Sequence, residues 1–241
     1  MMDFQYILRL LPAFLEKIPF TLGVIFLSFS LGFLLAFAIT LGRISRIPVL
    51  PQALGVYVSF IRCIPSILLL FLVYYGLPYA TDLLFSVKLG GTDKLTFGIL
   101  SLALFNGGWI SEILRAAILQ VDKAQTELAD SFGYTGAQKL FRVILPQAVA
   151  VSVPDLGNAL INIMKDTALF FTIGIVDMMG LAEIRIANSY GIKQAEIYIA
   201  VGIVYWLCSI LLTILIKYCE RKGRVLQLSK GLLGANFKVP I

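Results

Sequence analysis

From Ile18 to Gly42 the chain carries no charged residue. A bilayer core about 30 Å thick takes about 20 residues of helix. In hydrocarbon a backbone must satisfy its own N–H and C=O groups, which a helix does. The run is therefore expected to cross a membrane. Arg9, Glu16 and Lys17 precede it, it is too long for a signal-peptide core, and no small-x-small cleavage site follows, so it is expected to stay in the mature protein. Composition agrees: 59% of the 241 residues are hydrophobic and 14% charged, too few polar groups to cover a water-facing surface.

Four further spans are expected: about Gly55–Pro78, with Arg62 and Pro65 near its start; about Leu95–Ile118, with Glu112 and Arg115 toward its end; about Val149–Ile175, rich in polar residues; and Glu196–Ile216, closing near Trp206 and Tyr218 as interfacial anchors. Five helices put the termini on opposite sides. Arg43, Arg46 and Arg62 follow the first span, Lys123, Lys139 and Arg142 the third, and Lys217, Arg221, Lys222, Arg224, Lys230 and Lys238 the fifth. Fewer basic residues (Arg9, Lys17, Lys88, Lys94, Arg185, Lys193) fall on the other side. The positive-inside rule then predicts a cytosolic C-terminus and an N-terminus outside. Residues 3–16 set Phe4, Ile7, Leu8 and Leu11 against Asp3, Gln5 and Arg9 at helical spacing, which predicts a helix lying along the outer interface.

Several chemistries are excluded. The chain has no histidine, the commonest general base and zinc ligand at neutral pH. Cys63, Cys208 and Cys219 have neither disulfide nor metal-ligand spacing and are expected to be small buried hydrophobes. No Gly-x-x-x-x-Gly-Lys-Ser/Thr loop is present, so ATP has no P-loop here. The net charge of +6 is spread among apolar spans instead of forming one nucleic-acid-binding stripe.

The connection from Val121 to Ala148 is too long for a turn. Asp122 followed by Gln125, and Thr135 followed by Gln138, fit two capping boxes. Gly133 falls where a left-handed residue would end the first helix, and Pro146 marks the end or a kink of the second. Two short helices at a sharp angle are expected.

Glu127-Leu-Ala129, then Gly133, then Ile144-Leu-Pro146 resembles the EAA loop of binding-protein-dependent ABC importers, in their type I permease subunits. Arg62-x-x-Pro65, Tyr74-Tyr-Gly-Leu-Pro78, Glu112-Ile-x-Arg115, Val143-Ile-Leu-Pro-Gln147 and Lys165-Asp-Thr167 are similar to the family's polar amino-acid branch, in order between about residues 20 and 222. Three places depart from its pattern: Cys63-Ile64 for Gly-Thr before Pro65, Asn106-Gly-Gly-Trp109 before Glu112, and Asp155 where a second proline is common after Pro154.

The resemblance implies an all-α integral membrane protein, the type I ABC importer permease fold with a cytosolic coupling helix. It implies an outer amphipathic segment over 1–17, a transmembrane domain over 18–220 with the coupling loop at 121–148, and a cytosolic tail over 221–241. It further implies that the loop docks on a separate cytosolic ATPase carrying the ATP and magnesium, with none on this chain. There Gly133 would make the bend, Ala129 allow close packing, Glu127 cap or pair locally, and Pro146 close the element. A second permease chain, identical or related, and an extracytoplasmic solute-binding protein complete the expected machine, in a prokaryotic cytoplasmic membrane. The expected cargo is a polar amino acid: cystine, glutamine or glutamate, or a cationic one.

Asp155, Asn158, Asn162 and Lys165 fall at i, i+3, i+7 and i+10 in the fourth span, on one helix face, with Leu156, Leu160, Ile163 and Met164 on the remaining surface. Such a stripe fits a helix lining a substrate path, with Asp155 drawing an ammonium group. It equally fits polar glue between subunits. Glu112 and Arg115, three apart, can pair on one face, and Lys165 and Asp166 each need a partner elsewhere. A carrier driven by an ion gradient and using Asp155, Lys165 and Asp177 is the competing function, although no inverted repeat is evident.

Overall fold

The computed structural model describes residues 3–45, 47–86 and 93–234. Among these residues all regular structure is helical, and five helices are long and apolar enough to cross a membrane. In chain order the helices are α1 (Phe4–Leu15), α2 (Ile18–Ile44), α3 (Leu50–Cys63), α4 (Ser66–Phe71), α5 (Leu77–Phe85), α6 (Lys94–Leu119), α7 (Lys123–Ser131), α8 (Gly136–Lys139), α9 (Leu145–Asp166), α10 (Met178–Asn188) and α11 (Gln194–Gly234).

The prolines explain where the helices stop and where they do not. Ile64, directly before Pro65, has ψ 147, because the proline ring disfavours helical backbone in the residue ahead of it. The expected single span over Gly55–Pro78 is therefore broken here: α3 ends, and the membrane-length helix runs instead from Ser66 to Phe85. Pro78 and Pro146 behave differently. Each follows a π turn, over Leu72–Gly76 and over Leu140–Ile144, in which the closing N–H reaches five residues back (Leu77 to Leu72, Leu145 to Leu140). A proline lacks the N–H for the usual bond and crowds the carbonyl four residues back. The wider turn accommodates it, and the helix continues. The second short helix of the connection is accordingly not a separate piece: α8 passes through its π turn into α9, and the helical stretch extends from Gly136 to Ile173. Similarly, α11 does not end near residue 220 but continues to Gly234.

The chain divides into two compact units, Met1–Glu112 with Ala159–Ser209, and Ile113–Asn158 with Ile210–Ile241. In the first unit α1 packs Ile7, Leu10 and Phe14 on Met178, Ala182, Ile197, Ala200, Val201 and Val204 of α10 and α11. The amphipathic helix expected over residues 3–16 is present. Its buried face is turned from the expected one, leaving Phe4 and Leu8 exposed. Asp3 caps it, accepting from the Tyr6 N–H at 3.0 Å; that bond holds the Asp3 carboxyl below its usual pKa. Lys193 reaches Asp3 at 3.4 Å and lies 5.4 Å from the Tyr6 ring centroid.

Elsewhere in this unit α2 buries a stripe of small and apolar residues that includes Ser28, Gly32, Ala36 and Thr40. The Thr40 hydroxyl donates to the Ala36 and Ser111 carbonyls. Gly107 and Gly108 let neighbours come close: a Cβ would lie 2.7 Å from Leu35 of α2 at the first and 2.7 Å from Ile61 of α3 at the second. In the second unit Gly157 of α9 packs against Ile216 of α11, where a Cβ would meet Cγ2 at 2.5 Å. Cys63 is exposed and Cys208 only half-buried, which corrects the expectation of buried thiols; Cys63 is the last residue of α3, two before Pro65. The side chain of Cys219 and the connection at residues 87–92 lie outside the described residues.

Candidate functional site

In the second unit the connection is built by local hydrogen bonds. The Asp122 side chain accepts from the Ala124 N–H at 2.9 Å and starts α7; it does not form the reciprocal box with Gln125, whose side chain instead accepts from Gln147 at 2.6 Å. At the other end the Gly133 N–H donates to the Asp130 carbonyl at 2.9 Å and the Tyr134 N–H to the Ala129 carbonyl at 3.1 Å. This is a Schellman closure around a left-handed glycine, φ +72. The box at Thr135 is complete: its hydroxyl accepts from the Gln138 N–H and the Gln138 side chain accepts from the Thr135 N–H. Lys139 then ties α8 back to Asp130 at 2.7 and 2.8 Å.

The four sequence-assigned residues of this arm have distinct places. Ala129 is buried under the turn, where its small side chain fits. Glu127 is exposed on α7, and its carbonyl accepts from the Ser131 hydroxyl. Gly133 makes the bend. Pro146 follows the π turn at the entry to α9. What residue spacing did not indicate is that the arm carries apolar side chains outward: Leu128 is 58% and Phe132 74% exposed, and Phe141 is exposed as well.

The polar stripe of α9 is present, and all four of its members are exposed, whereas Ile163 and Met164 are buried. In the first unit a cavity of about 300 Å³ is lined by Asn162 and Lys165 together with Ser66, Asn106, Trp109 and Asp166. Asp155 and Asn158 do not line it and lie in the second unit. Asp155 and Lys165, ten residues apart on this helix, are separated by about 15 Å along its axis. Asp166 accepts from the Ser66 hydroxyl at 3.2 Å, the Thr167 hydroxyl bonds back to the Met164 carbonyl, and Asn106 donates to the Leu102 carbonyl while remaining buried. Ser66, Asn106 and Trp109 are the members that the stripe alone did not give. The Asn106-Gly-Gly-Trp109 run, which departs from the family pattern, is the signal that marks the last two.

Other charged side chains of the first unit have partners of their own. Arg43 of α2 donates to Glu112 of α6 at 2.6 Å, and Arg62 lies over Trp109 with Cζ 5.1 Å from the ring centroid. Asp177 caps α10, accepting from the Gly180 N–H at 2.8 Å and from the Tyr205 hydroxyl at 3.3 Å. Among the described residues, no group of three or more Cys, Asp or Glu side chains is placed to hold a metal ion.

The comparisons with known proteins converge. The family described as binding-protein-dependent transport system inner membrane component matches residues 28–225. The chain is 36% identical over 220 residues to the L-cystine transport system permease protein TcyL of Bacillus subtilis (strain 168), covering 91% of each chain. It is likewise 36% identical to the probable amino-acid permease protein YxeN of the same organism, covering 91% of this chain and 95% of that one. Among solved structures, an amino acid ABC transporter crystallised with histidines superposes with a TM-score of 0.80 at 30% identity, over 92% of this chain and 99% of its counterpart. With all the regular structure of its described residues helical, five of those helices long and apolar enough to cross a membrane, and matches to these proteins along nearly its whole length, the chain is a membrane permease subunit of the binding-protein-dependent ABC importers, in the amino-acid transport branch of that family.

Proposed function

We propose that the chain imports a polar amino acid across a prokaryotic cytoplasmic membrane, driven by ATP that a separate cytosolic subunit hydrolyses with magnesium. The observation that carries this reading is the arm around Gly133. A short, well-capped helix presenting Leu128 and Phe132 outward suits insertion into a groove of a partner, since exposed large apolar residues grouped on one element mark interaction sites. A permease without a P-loop must receive its energy through such a contact. The arm and the C-terminus then face the cytosol and α1 lies outside, as the basic residues suggest. A second permease chain, identical or related, closes the path along the exposed stripe of α9, and an outer solute-binding protein delivers the cargo. L-cystine transport by a relative makes cystine the first substrate to test.

The experiment is co-purification with the ATPase, combined with thiol labelling. Phe132→Asp should release the ATPase from the permease while the permease still reaches the membrane; retention of a full complement of ATPase would refute the docking role. In a background lacking the three native cysteines, Ser189→Cys should react with an impermeant reagent in intact cells and Ser131→Cys should not, and the reverse pattern would invert the proposed topology.

A further inference from the structure

Trp109 lines a second cavity of the first unit as well as the polar one. This second space, about 370 Å³, has Arg43, Ser59, Arg62 and Glu112 in its walls. Its volume is within the range of small-molecule pockets. Its charge is unbalanced: two guanidinium groups face one carboxylate. Arg43 is already paired with Glu112 at 2.6 Å. Arg62 is instead held against the Trp109 ring, and that contact is made through the face of the aromatic system, which leaves the guanidinium's in-plane N–H donors for another acceptor. The approach depends on Gly108, whose missing side chain admits the neighbouring Ile61. The run Asn106-Gly-Gly-Trp109 thus does two things at once, bringing α3 near and supplying the ring on which Arg62 rests.

We infer that this cavity is an amino-acid subsite, in which Arg62 binds the α-carboxylate of the substrate and Glu112, beside it, supplies negative charge toward the ammonium group. Trp109 is the wall that it shares with the polar cavity. A guanidinium fork matches a carboxylate with two parallel charge-assisted hydrogen bonds, and every α-amino acid carries that carboxylate, so this subsite reads the backbone of the cargo and not its side chain. The inference rests on the amino-acid import reading above, and the following experiment separates the two.

Purified permease–ATPase complex in phosphatidylcholine nanodiscs, without the solute-binding protein, is titrated with radiolabelled L-cystine, L-glutamine and L-arginine. Each is competed by its own carboxamide, which keeps the ammonium and side chain but loses the carboxylate charge. For at least one of the three, the wild type should prefer the amino acid over the carboxamide by about tenfold or more, the scale of hydrogen bonds to a charged group. Arg62→Gln should bind both forms alike, Arg62→Lys should keep part of the preference, and Arg9→Gln, exposed on α1 away from both cavities, should keep all of it. A variant that loses packing alone would weaken both forms in parallel, so loss of the preference is not a folding effect. Arg62→Gln and Arg62→Lys that both discriminate like the wild type, or a wild-type complex that binds none of the three, would overturn the subsite. ATP-driven uptake of the same amino acids into proteoliposomes, with the binding protein supplied, distinguishes the failures. Uptake without Arg62-dependent discrimination defeats only the subsite, and absence of uptake defeats the import reading itself.

Discussion

The arm around Gly133 and the polar cavity beside Trp109 are held together in opposite ways. In the arm, the ion pair from Lys139 to Asp130 joins residues nine apart and the Thr135 box joins residues three apart. The arm's side chains are largely exposed. At the cavity Ser66 bonds Asp166 across one hundred residues of sequence, and elsewhere in the same unit Tyr57 donates to the Leu104 carbonyl across 47 and Arg43 meets Glu112 across 69. A locally built element has its shape written in a few backbone conformations, so a backbone change should break it while leaving the rest folded. A cavity assembled from distant helices is tolerant of any one bond, and its function should respond to charge more than to local conformation.

The sharpest way to test that contrast is Gly133→Val. A Cβ at this position meets nothing within 4 Å, so the cost is the left-handed backbone itself, which β-branched residues strongly resist. Uptake should be abolished and substrate-stimulated ATPase activity lost while the permease still inserts; normal uptake would show that this bend does not transmit energy. Lys165→Gln should have the next largest effect. It removes the cationic side chain of the polar cavity at nearly constant length, and transport should fall about tenfold or more, consistent with the energetic weight of ionisable groups at membrane depth. Assembly with the ATPase should persist, and loss of assembly would mean that the cavity is structural.

Asp155→Asn gives a smaller expected change, because Asp155 stands outside that cavity. A two- to threefold loss is about the effect of an exposed charge, measured as uptake at saturating substrate. A collapse equal to that of Lys165→Gln would return Asp155 to the substrate path and erase the distinction between the upper and lower parts of the stripe. The least effect is expected of Thr135→Ala, which removes one cap worth about 1 kcal/mol. Thermal unfolding of the complex should shift slightly, with uptake retained, since Lys139 and Asp130 still tie α8 to the arm. A loss as large as that of Gly133→Val would show that the arm depends on its second cap as much as on its bend.

Individual residues show what was legible. Gly133 and Thr135 were readable because a left-handed glycine and a capping box act within a few positions of themselves. Asp122 was readable only in part: the cap forms, but Gln125 has a partner 22 residues away in Gln147, and no local pattern reports such competition. The apolar face of α1 was misassigned by a fraction of a turn, since Phe4 and Leu8 are as apolar as Leu10 and Phe14. Which of them is buried depends on where α10 and α11 offer a surface.

By itself the sequence determined that this chain crosses a membrane in five helical spans and that a bent, capped arm follows the third, because hydrophobic length, capping and glycine conformation act over at most one span of chain. The same proline chemistry was present at Pro65, Pro78 and Pro146, yet only tertiary structure decided that the helix breaks at the first and passes through a π turn before the other two. It also decided that Lys165 and Asn162 share a cavity with Asn106 and Trp109 while Asp155, on the same helix face, does not. A helix face specifies direction around one axis. Which neighbouring helices approach that face, and at what height, is decided by close packing such as that of Gly107 on Leu35 and Gly108 on Ile61, whose partners lie far away in sequence.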